Sequence, residues 1–138
     1  MIGCKYFTKE EVFHPSLVNE KSWSTRPQAI WDALDALREA WGRPITINSA
    51  TLHNCGVRPV GSRVGATKSH HQPIYPSNQA FDLHGRTAEE TEELYHWVLR
   101  EGWEIGHVGR VEDRRFAPSW VHLQIEVEKP TSCVVFAP

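Results

Sequence analysis

One run of eight residues, Trp120-Val121-His122-Leu123-Gln124-Ile125-Glu126-Val127, switches between apolar and polar at nearly every step, and no other feature constrains the fold so strongly. Successive side chains of a strand point to opposite faces, so Val121, Leu123, Ile125 and Val127 belong to a core. Trp120, His122, Gln124 and Glu126 belong to the other side. The stretch from Gln79 to His84 has the same period: Phe81 and Leu83 point inward, Ala80, Asp82 and His84 outward. A sheet with one polar face can therefore bring Asp82 and His122 together across forty residues of sequence.

A third group completes the set. His71 lies eleven residues before Asp82. Two imidazoles and one carboxylate are the donors a catalytic Zn2+ favours, and three protein ligands leave a fourth position for water. The neighbouring His70 is an alternative to His71 if the loop turns the other way. His84 shares the Asp82 face and could bind or support a ligand. His14, His53, His96 and His107 have no such company and are read as ordinary histidines.

The rest of the chain supplies helices. Thr8 and Glu11 have capping-box spacing, and His14-Pro15 should end the short helix they begin. A longer helix is expected with Thr25 as its cap, Pro27 in its first turn, Ile30, Leu34, Leu37 and Trp41 on its buried stripe, and Gly42 as its stop. Residues 45–49 alternate as a short strand. Residues 50–68, with three glycines and a proline, form a long loop carrying Arg58 and Arg63, either of which could grip a carboxylate or a developing oxyanion. Thr87 and Glu90 start a further helix, closed by Gly102. Beyond it, residues 103–106 suggest a strand, residues 110–118 a polar connection, and residues 133–136 an edge strand. The class is α+β.

Bulk properties exclude several functions. A length of 138 residues suits a single domain, residues 1–138, with a real core. A net charge of -2, from 15 basic and 17 acidic residues, gives no electrostatic case for nucleic acid. No apolar run is long enough for a membrane helix, so no membrane partner is expected. The three cysteines are odd in number and widely spaced, which suits reduced structural thiols. The first residues lack a secretory pattern, so the chain is expected to be cytoplasmic as synthesised. A monomer is expected.

Ser69, His71, Ala80, Asp82 and His122 together resemble the Ser-x-His, Ala-x-Asp and aromatic-x-His pattern of the zinc D-Ala-D-Ala carboxypeptidase and endopeptidase family, the hedgehog-like cell-wall peptidases that include phage endolysins. Tyr6-Phe7-Thr8 with Glu11, residues 44–49, Val64-Gly65-Ala66 and Ile105-Gly106 extend the likeness over most of the chain. The resemblance implies a hedgehog/DD-peptidase-like α+β fold with a small antiparallel sheet flanked by helices. It implies that His71, Asp82 and His122 hold Zn2+, and that Arg58 contacts substrate or transition state. Arg63, Ser69 and Trp120 are assigned to substrate. The implied substrate is a peptidoglycan stem peptide, cut at D-Ala-D-Ala or at a bond from an L- to a D-amino acid.

The chain also departs from that pattern. It has four extra residues between His71 and Asp82, and Ser119 stands where many members carry an acid three residues before the last histidine. A serine is no base near neutral pH, so another carboxylate, Glu126, Asp113 or Glu112, is needed for proton transfer. The alternative is a catalytically inactive metal-binding module, such as a structural or interaction component of a phage virion. The implied place of action is the cell wall, reached from a host cytoplasm or from a virion.

Overall fold

The computed structural model describes residues 2–47, 56–59, 71 and 77–138. In chain order these form α1 (Lys9–Val12), 3-10 turns at Pro15–Leu17 and Ser22–Thr25, α2 (Gln28–Trp41), β1 (Thr46–Ile47), β2 (Asn78–His84), α3 (Ala88–Trp97), a π-turn at Val98–Gly102, α4 (Trp103–Gly106), β3 (Val108–Glu112), β4 (Val121–Glu126) and β5 (Val134–Phe136). The sheet order is β1-β2-β4-β3-β5. Its first four strands are antiparallel neighbours, whereas β5 runs parallel to β3. The expected α+β class is observed, with a mixed rather than purely antiparallel sheet.

The two alternating segments pair as neighbours. Phe81 sits opposite Leu123 and Leu83 opposite Val121, all within the core. Ile30, Trp31, Leu34 and Leu37 of α2 belong to the same buried cluster. Each such side chain contributes about 1.5–3 kcal/mol through removal from water. That packing sets the polar residues of β2 and β4 on the opposite side of the sheet.

Several local expectations are met. Both reciprocal bonds of the Thr8–Glu11 box are present, and Gly42 ends α2 with φ 73°, a left-handed conformation open to glycine at little cost. Others are corrected. Pro27, with φ -56°, precedes the first turn of α2, while Thr25 closes a 3-10 turn and donates its hydroxyl to Ser22 O. Gly102 does not end α3. It is right-handed, with φ -64°, and the helix runs through the π-turn into α4, so residues 103–106 are helical. The chain reverses instead at His107, φ 55°, and Gly106 permits α4 to lie against Leu37, where a Cβ would collide.

The polar connection expected at residues 110–118 begins later, because Arg110, Val111 and Glu112 belong to β3. Cys4 and Cys133 are unpaired thiols, the latter pushed up to about 11 by burial, which suits an unreactive role; Cys55 lies outside the described residues. Among the described residues no helix is long and apolar enough to cross a membrane.

Candidate metal centre

Asp82 of β2 and His122 of β4 are direct cross-strand partners, so their side chains leave the same face of the sheet at one level. His122 Nδ1 is 2.7 Å from Asp82 Oδ1. His71, 2 % exposed, joins them from outside the sheet, its Nε2 3.3 Å from His122 Nδ1 and 3.5 Å from Asp82 Oδ2. One donor atom from each residue lies within 4.8 Å of the other two.

The orientation of His71 follows from its other nitrogen. Nδ1 is 2.9 Å from the carbonyl oxygen of Gly56, which can only accept, so Nδ1 carries the proton. In the neutral ring Nε2 then presents a lone pair to Asp82 and His122, as a metal ligand must. Burial pushes the His71 imidazole down, toward that neutral form. Burial alone would raise the Asp82 carboxyl, but hydrogen bonding and charge from the imidazoles, His122 foremost, hold it below the ordinary carboxylate range. The group is therefore an anion with two nitrogen donors beside it.

These donors fit zinc. Bonds of about 2.0–2.1 Å at tetrahedral angles put ligand atoms roughly 3.3 Å apart, close to the 3.3 Å from His71 Nε2 to His122 Nδ1 and the 3.5 Å from His71 Nε2 to the other carboxylate oxygen, Asp82 Oδ2. The third, 2.7 Å, is a hydrogen bond, so holding an ion requires His122 Nδ1 and Asp82 Oδ1 to part by a few tenths of an ångström and the proton between them to leave.

Arg58, 3 % exposed, places a guanidinium nitrogen 2.8 Å from Asp82 Oδ2. In this structure its neighbour is the proposed ligand carboxylate, not open solvent where a substrate would arrive. Trp120 stands half buried just before β4. Asp113 is engaged by Arg115 through its side chain and backbone. Glu126 accepts from Gln124 Nε2 at 2.6 Å and lies four residues along β4 from His122, about 13 Å at strand rise. Neither acid is brought to the three donors. Ser119 is exposed beside His84, Arg86 and Thr87. His84 donates from Nδ1 to Gly85 O. Arg63, Ser69 and His70 lie outside the described residues.

Sequence reasoning missed Gln79. It shares the core-facing side of β2 with Phe81 and Leu83 and is fully buried. Its Nε2 protons are shared among the carbonyls of Gly56, His71 and Ala80 at 3.0–3.1 Å, while Oε1 accepts from Arg26 Nε at 2.9 Å. The same Gly56 carbonyl orients His71, and the His71 carbonyl also accepts from Arg58 N. A single amide thus ties β2 to the two segments that carry His71 and Arg58. Its only sequence signal is an amide at a core position, where apolar residues are usual. Gln79→Leu is expected to weaken zinc binding about 10- to 100-fold, as loss of a ligand-orienting partner does, read by competition with a chromophoric chelator.

His71 and Asp82, both buried, and the half-buried His122 form a group on the polar side of an α+β sheet that could hold one metal ion. The model of the family described as Peptidase M15 matches residues 5–123, and the chain belongs to that family, the one that contains the zinc D-Ala-D-Ala carboxypeptidases. No curated protein and no solved structure matches the chain significantly.

Proposed function

We propose that the protein is a zinc-dependent peptidase that cleaves peptidoglycan stem peptides, either at D-Ala-D-Ala or at a bond from an L- to a D-residue. The observation that carries this reading is the convergence of His71, Asp82 and His122 within 4.8 Å in a chain of the Peptidase M15 family. Zinc, when bound, lowers the pKa of water to about 7 and polarises a carbonyl.

The chain's own residues prepare that chemistry. Gly56 and Gln79 fix the His71 ring, so its lone pair is in place before a ligand arrives. Arg58, 2.8 Å from Asp82 Oδ2, holds the carboxylate stationary, which limits rearrangement on binding. Phe136 meets the His122 ring edge-on at 5.9 Å and covers one side of it against water. Trp120, Arg63 and Ser69 are proposed to contact the peptide. The cell wall is the proposed place of action, and a monomer the proposed state.

Defined muropeptides separate the readings by mass spectrometry of the products. The expected result is one cleaved bond, with activity lost on chelation and restored by zinc. Zinc uptake with every peptide intact would identify the inactive module instead. Chelator-insensitive cleavage would sink the zinc assignment.

A further inference from the structure

Ser119 leaves the start of β4 without an acid, and the neighbouring strand β3 ends in a carboxylate, Glu112. In the pairing of β3 with β4, Val108 faces Ile125, yet Arg110 faces Gln124 and Val111 faces Leu123. Two steps on β3 answer one on β4, so Gly109 is the extra residue of a bulge. Its carbonless side lies close to the Glu126 side chain. Without the bulge, Val108, Arg110 and Glu112 would share the core face. With it, Val108 and Val111 are both buried in the core, and Arg110 and Glu112 turn to the polar face.

Continuing the register one residue beyond the Val111–Leu123 pair sets Glu112 opposite His122. The rung then reads Asp82, His122, Glu112 and Phe136 across β2, β4, β3 and β5, with the Asp82–His122 and Glu112–Phe136 pairs at its two ends. Opposed residues of such a ladder have Cα atoms about 4.5–5.5 Å apart, within reach of a glutamate side chain. Glu112 is half buried, and its side chain makes no hydrogen bond or ion pair with any described residue. By contrast, Asp113 is held by Arg115 and Glu126 by Gln124.

We propose that Glu112 is the catalytic carboxylate of this site, the group that moves the proton during hydrolysis; this rests on the peptidase reading above. As the oxygen of the attacking water bonds to the scissile carbonyl carbon, its proton passes to Glu112. The C–N bond then breaks and the proton goes on to the departing amine, leaving Glu112 ionised as it began. Phe136, next along the rung, shields the pair from bulk water on that side.

The test compares the zinc-loaded wild type with Glu112→Gln and Glu112→Asp, measuring zinc affinity, thermal unfolding and muropeptide turnover on each. Glu112→Gln is expected to lose about 10²- to 10⁴-fold in kcat while KM and zinc affinity stay within about threefold, and Glu112→Asp to recover part of the loss. An active wild type whose Glu112→Gln variant keeps its kcat overturns the assignment and leaves the peptidase reading standing. Zinc affinity falling together with kcat overturns it too, since Glu112 would then be a ligand. A zinc-loaded wild type that cleaves nothing overturns both readings at once.

Discussion

Asp82→Asn is expected to abolish measurable hydrolysis and to weaken zinc binding on the order of 10³-fold. The size follows from sharing: binding worth roughly 10–16 kcal/mol, divided over three ligands, makes each worth several kcal/mol. The neutral amide keeps the shape of the carboxylate but neither its charge nor its affinity for a dication. It also takes the anion away from Arg58, which lies 2.8 Å from Asp82 in a place closed to solvent. The apo variant should therefore unfold more readily than the apo wild type. Chelator competition reads the first effect and denaturant unfolding the second. An Asp82→Asn variant that binds zinc as tightly as the wild type would remove the carboxylate from the ligand set.

Arg58→Met is expected to destabilise the metal-free protein by about 3–5 kcal/mol, the usual cost of stranding one member of a buried ion pair. Their side chains are 4 % and 5 % exposed, so water cannot replace the missing partner. Zinc supplies a new counter-charge to Asp82, so the loss should shrink in the loaded protein. A double variant, Arg58→Met with Asp82→Asn, should be more stable without metal than the sum of the single losses allows, because it strands no charge. Urea unfolding of the four proteins, each with and without zinc, measures both terms. Equal destabilisation with and without zinc would show that the ion and Arg58 do not share Asp82.

What the sequence made legible was decided by how local each signal is. Strand alternation placed Asp82 and His122 on one face because side-chain parity needs only the residues themselves, and neither β2 nor β4 breaks it in their pairing. Parity fails at a bulge. Gly109 shifts it by one residue, so the strand that carries Arg110 and Glu112 read as a polar connection. Gly102 read as a helix stop because glycine usually marks one, yet here it is right-handed within a continuous turn. Gln79 was invisible for a different reason: its partners are carbonyls at positions 56 and 71, brought beside β2 only by the tertiary fold. The His71 ring, likewise, is oriented by a backbone oxygen that carries no residue-type signature.

With the proposed zinc site, the rung shared by Asp82 and His122 would also make metal uptake a proofreader of strand alignment. If β2 slid by a single residue against β4, the carboxylate and the imidazole would end on opposite sides of the sheet and no common ion could hold them. Zinc added during refolding should then favour correctly aligned molecules over slipped ones, and the yield of ion-bearing chains becomes a census of how many paired β2 with β4 in phase.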